Sequence, residues 1–119
     1  MEKVKLSKEL ENKVYDLIEL AKNSGKIRKG TNEATKAIER GITKFVAIAE
    51  DVTPPEIIMH LPKLCNDRKI PFCYVGSKKE LGSSAGLEVP TAAVAITELS
   101  EGKDILMELK KAIEKLKKE

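Results

Sequence analysis

The residues with the widest chemical reach lie between Gly25 and Gly41. Gly25-Lys26-Ile27-Arg28-Lys29-Gly30 is a basic turn bounded by glycines, and Thr31 to Arg40 carries a helical pattern. At about 100° per residue, Ala34, Ala37, Ile38 and Gly41 share one side of that helix, and Asn32, Glu33, Lys36 and Arg40 share the other. A helix start presents free backbone N–H groups, which favour an anion in front of them. Lys26, Arg28, Lys29, Lys36, Arg40 and Lys44 gather positive charge near it in sequence, opposed only by Glu33 and Glu39. Such a patch suits a phosphate backbone. Glu33 needs a different partner, because a carboxylate repels phosphate but accepts hydrogen bonds from base N–H groups. Asn32 can donate and accept together, and Lys36 can donate to guanine acceptors.

The same residues also describe an ordinary helix start. Thr31 or Asn32 is a suitable cap, Glu33 suits the positive end of the dipole, and Glu33 with Lys36 makes a surface pair at helical spacing. Spacing alone leaves both readings open.

The elements that hold this turn must come from a single domain, because the 119 residues show no internal repeat and no Pro-, Gly- or Ser-rich linker. A composition of 41% hydrophobic and 34% charged residues fits a folded soluble protein. A net charge of +3 is modest, so any anionic partner must be met by a local patch. No apolar run is long enough to span a bilayer, and Met1-Glu2-Lys3-Val4-Lys5 lacks the apolar core of a leader, so a cytoplasmic protein is expected. Cys65 and Cys73 are then expected to pack as reduced thiols, and with one histidine, His60, they leave too few ligands for a metal.

Leu10, Val14, Leu17, Ile18 and Ala21 predict a first helix from about Ser7, its cap, to Asn23, with Gly25 as the stop. Residues around Ile27 fit a short edge strand. Lys44 to Glu50 is too apolar for an alternating strand and predicts a buried central one. Thr53-Pro54-Pro55-Glu56 has capping-box spacing before a third helix through Ile57, Ile58, Leu61, Leu64 and Cys65, which Pro62 should kink or split. Ile70 to Val75 predicts a second buried strand, and Ser77-Lys78-Lys79-Glu80 opens a short helix ending near Ala85-Gly86. Leu87-Glu88-Val89-Pro90 is a loop, Thr91 to Thr97 a strand, and the chain ends in a helix with Ile105, Leu109, Ala112, Ile113 and Leu116 inward. Lys110, Lys111, Lys115, Lys117 and Lys118 form its solvated face. The alternation predicts an α/β fold, a three-layer α/β/α sandwich with a small mixed central sheet. Binding groups collect on loops at one end of such a sheet.

In order and spacing, Gly30-Thr31-Asn32-Glu33-Ala34-Thr35-Lys36, Ala49-Glu50-Asp51-Val52, His60-Leu61-Pro62-Lys63-Leu64-Cys65, Ile70-Pro71-Phe72 and Leu81-Gly82 through Ala85-Gly86 resemble the archaeal ribosomal protein L-seven-Ae family of kink-turn RNA binders. The resemblance runs from the first helix through the last strand. It implies recognition of a sharply bent RNA whose core is a pair of sheared G·A base pairs beside a bulge with one extruded nucleotide. Asn32, Glu33 and Lys36 would then contact the exposed major-groove edges of the guanines. Lys29 and Gly30 would approach the backbone, with Thr31 opening the helix and Arg40 adding charge. Leu87, Glu88 and Val89 would cover the extruded base, with Ile57 completing an apolar pocket. The family loop often carries a basic residue where this chain has Val89. The implied partners are kink-turns in ribosomal RNA, in box C/D and H/ACA guide RNAs and in ribonuclease P RNA, together with the core proteins of guide ribonucleoproteins. The implied role is assembly by a monomer, with no chemistry, cofactor or small-molecule substrate.

Distorted RNA exposes base edges that a regular A-form groove hides, and the scarcity of aromatic side chains argues against a single-strand stacking platform. The competing readings are an accessory domain of an RNA-modifying enzyme and a protein-interaction module. Glu50 and Asp51 are a candidate acid–base pair, but no histidine or second acidic cluster completes it, and both the P-loop and the dinucleotide fingerprint are absent.

Overall fold

The computed structural model describes residues 6–118, so the leader reading of Met1 to Lys5 lies outside the described residues, as do the side chains of Lys117 and Lys118. The chain runs α1 (Lys8–Ser24), β1 (Lys26–Lys29), α2 (Thr31–Glu39), β2 (Phe45–Ala49), a 3₁₀ turn (Pro55–Ile57), α3 (His60–Asp67), β3 (Phe72–Val75), α4 (Lys78–Ser84), β4 (Ala93–Glu98) and α5 (Lys103–Lys118). The strands form one sheet in the order β1-β4-β2-β3. β4 is antiparallel to both its neighbours, and β3 is parallel to β2, so the sheet is mixed. α1, α4 and α5 pack together and α2 packs with α3, which gives the expected α/β/α layers.

Local chemistry sets most boundaries. Ser7 Oγ accepts the Leu10 N–H at 3.2 Å to cap α1, and Ser77 Oγ accepts the Glu80 N–H at 3.1 Å to cap α4. Gly25 ends α1 where a Cβ would stand 2.0 Å from the Glu98 carbonyl oxygen, so only glycine lets the chain turn this close to β4. Every residue of β2 is buried, as is β4 from Ala93 to Ile96, because helices cover both faces of the two central strands.

Two expectations change. β3 is an edge strand and not a fully buried one: it pairs only with β2, and burial alternates, with Cys73 and Val75 inside and Phe72 and Tyr74 half-buried. The two rings meet edge to face, their centroids 6.3 Å apart. Thr53 does not cap the third helix. The first turn is split off as a 3₁₀ segment with Pro54 at the cap position and no side-chain cap, and Pro62 falls within the first turn of α3. There its missing N–H breaks no helical hydrogen bond.

One end of the sheet collects the connections that matter. The Gly30 N–H donates to the Ala93 carbonyl at 2.8 Å, Ala49 N–H to Ala92 O at 2.9 Å, and Glu50 N–H to Val75 O at 2.9 Å. The ends of β1, β2 and β3 and the beginning of β4 therefore lie side by side.

Candidate nucleic-acid interface

At this end β1 stops at Lys29 and the chain enters α2 through Gly30, whose φ of 93° is a conformation that disfavours any side chain. Gly30 is the cap residue: its carbonyl accepts the Ala34 N–H at 2.9 Å, and it has no side chain with which to cap. The capping role open to Thr31 or Asn32 is thus not taken by either, since both already lie inside the helix. Ala34, Ala37 and Ile38 are buried, while Asn32, Glu33 and Lys36 are exposed. Glu33 and Lys36 do form the surface pair, 3.6 Å apart, with each side chain more than half exposed. A pair so wet contributes little and opens readily toward another partner.

The second component is the connection from α4 to β4. Leu87 N–H returns to Gly82 O at 2.9 Å and Thr91 N–H to Lys78 O at 3.0 Å, so this loop runs back along α4. Gly82 permits it: a Cβ there would stand 2.2 Å from the Val89 carbonyl oxygen. Leu87 is half-buried, Glu88 is exposed, and Val89 is 61% exposed, an apolar side chain held out from the loop. The third component follows β2. Ile57 is 43% exposed on the 3₁₀ turn, three residues before His60, whose Nε2 lies 2.8 Å from Thr35 Oγ1 on α2. Lys29, Gly30, Thr31, Asn32 and Glu33, the Leu87–Val89 loop and the segment carrying Ile57 are therefore connections of the same sheet end.

Arg40 does not belong with them. It caps the far end of α2, about 13 Å of helix rise beyond Thr31. Lys44 is at the opposite end of the sheet, where its N–H donates to Ile96 O, and Lys26 lies there too, paired with Glu98 at 3.8 Å. The basic cluster that is continuous in sequence divides in space because α2 carries the chain from one sheet end to the other. Sequence reasoning used Lys78 and Lys79 only for capping-box spacing, yet α4 opens at the same end as Gly30. It gave Thr35 and His60 no role of their own, although both stand in the segments that carry the resemblance.

Asp51 Oδ1 accepts the Lys78 N–H at 2.9 Å and so supports the start of α4. Burial, reinforced by Glu11, raises the pKa of Tyr15 and Cys73, burial raises that of Tyr74, and the hydrogen bond to Glu108 raises that of Lys13. Cys65 and Cys73 are buried and no disulfide joins them. Among the described residues no group of three or more His, Cys, Asp or Glu side chains is placed to hold a metal, and no helix is long and apolar enough to cross a membrane.

Residues 12–106 match the ribosomal protein L7Ae/L30e/S12e/Gadd45 family. The chain belongs to this family. A solved structure described as the Giardia lamblia 15.5kD RNA binding protein is similar at 32% sequence identity, covering 93% of this chain and 92% of that one, with a TM-score of 0.88. The resemblance and the sandwich architecture expected from the sequence are thereby established.

Proposed function

We propose that this family member binds RNA at the sheet end bearing the start of α2, and that its target is the kink-turn. Asn32, Glu33 and Lys36 read the exposed edges of the sheared G·A pairs, Lys29 and Gly30 meet the backbone beside Thr31, and Leu87, Glu88 and Val89 cover the extruded nucleotide with Ile57 nearby. Arg40, at the far end of α2, adds only salt-screened charge. The single observation that carries this reading is the first turn of α2, which no side chain caps and where Asn32 and Glu33 face solvent.

Binding without chemistry makes the protein an assembly platform in the cytoplasm, fixing bent ribosomal, guide or ribonuclease P RNA and presenting it to further proteins. Gel-shift titration with an intact kink-turn, a G·A-disrupted version and a plain duplex tests the reading. Tight binding confined to the intact kink-turn is expected. Equal affinity for all three would reduce the site to a charge patch, and no affinity would turn it into a protein-interaction surface.

A further inference from the structure

We propose that His60 is a positioning residue for the turn that reads the RNA, acting through Thr35; the proposal rests on the reading of that turn given above. Thr35 Oγ1 lies 2.7 Å from the Thr31 carbonyl oxygen and 2.8 Å from His60 Nε2. A threonine hydroxyl has one proton, and a carbonyl can only accept it. The Thr35 proton therefore points at Thr31, and the imidazole must be the donor, with its hydrogen on Nε2. The result is a directed chain, His60 Nε2–H to Thr35 Oγ1–H to Thr31 C=O, crossing from the first residue of α3 to the first residue of α2.

Its place on α2 explains what it fixes. On a helical projection Thr31 and Thr35 lie between the buried side, Ala34 with Ala37 and Ile38, and the side bearing Asn32 and Lys36. Burial holds one side of the helix and the Gly30 N–H ties its start to the Ala93 carbonyl, but no side chain caps the exposed side. The bond from His60 stops α2 rolling about its axis, the motion that would swing Asn32 and Lys36 away from base edges. Recognition groups must be held to within about 0.5 Å, so a weak bond at this point has an effect on selectivity larger than its effect on stability.

The test uses the full chain with His60→Ala, His60→Gln, Thr35→Val and the Ala/Val double variant. His60→Ala and Thr35→Val should each weaken kink-turn binding roughly fivefold, the worth of one neutral hydrogen bond, and leave the G·A-disrupted RNA unchanged. The double variant should be no worse than either single one. His60→Gln, which keeps an N–H donor at similar reach, should restore binding. In RNA-free protein, the backbone amide resonances of Asn32 and Glu33 should move in His60→Ala and return in His60→Gln. Losses that multiply in the double variant, or Asn32 and Glu33 resonances that stay in place, would overturn the proposal. If the parent protein fails to prefer the kink-turn, the functional reading falls. The resonances of the RNA-free variants still decide the positioning role on their own.

Discussion

The first turns of α4 and α2 are built from similar residue types and held in different ways. At α4, Ser77 Oγ takes the Glu80 N–H and Asp51 Oδ1 takes the Lys78 N–H, so the helix start is closed by two side-chain oxygens. At α2, Gly30 occupies the cap, and Asn32 and Glu33 project outward with no capping bond. The two helices open at the same end of the sheet, so the contrast is between neighbours. Where a polar side chain is used for folding, removing it should lower stability; where it is spare, removing it should lower recognition. That separation is what the following variants are chosen to break.

The largest effect is expected from Gly82→Ala. The added methyl meets the Val89 carbonyl at 2.2 Å, and a backbone atom cannot swing aside as a side-chain tip does. Overpacking of this kind costs about 1–3 kcal/mol, to be read by urea unfolding. The Leu87–Val89 loop should shift as well, so RNA affinity falls with stability. A variant of parental stability would mean that the loop is not seated on α4.

Next come Asn32→Ala and Glu33→Ala, expected to lose roughly 1–3 kcal/mol of preference for a kink-turn over its G·A-disrupted control. Their unfolding free energies in urea titrations should stay within about 0.5 kcal/mol of the parent, as exposed positions allow. Comparable losses on both RNAs would show that these side chains supply charge or shape, not base readout.

Ser77→Ala is the mirror image. It should cost about 1 kcal/mol of stability, the usual worth of a serine cap, and leave kink-turn selectivity unchanged. Ser7→Ala, at the capped start of α1, is its companion. Selectivity lost with Ser77 would show that the capped and uncapped starts are not independent.

This contrast was partly legible in the sequence. The periodic burial of α1, α2 and α5 and the uniform burial of β2 follow from apolar spacing, and Ser7 and Ser77 cap as their positions predict. Thr31, Asn32 and Thr53 look equally suited to capping, but φ at Gly30 and the turn at Pro54 put the cap one residue elsewhere. Backbone geometry decides between chemically equivalent neighbours, and residue type does not encode it. The edge position of β3 was hidden for a related reason. Ile70 to Val75 is nearly as apolar as β2, and only strand order, a long-range property, reveals that one side of it has no neighbouring strand.

Charge gives the smallest effect and the clearest contrast between the two sheet ends. In sequence, Lys44 follows Lys36 and Arg40 as one run, which a simple count assigns to a single patch. In space, Lys44 stands at the end of the sheet opposite Gly30, because α2 runs its full length between them. A lysine there is screened from a bound RNA, since the Debye length at physiological salt is about 8 Å, shorter than the roughly 13 Å rise of the helix. Lys44→Ala should therefore leave selectivity untouched and change the dependence of affinity on salt by less than about one unit of slope. Lys36→Ala, on the near side, should lower both. If the two lysines proved equivalent in salt titrations, RNA would have to reach along the whole of α2, and the reading surface would extend beyond its first turn.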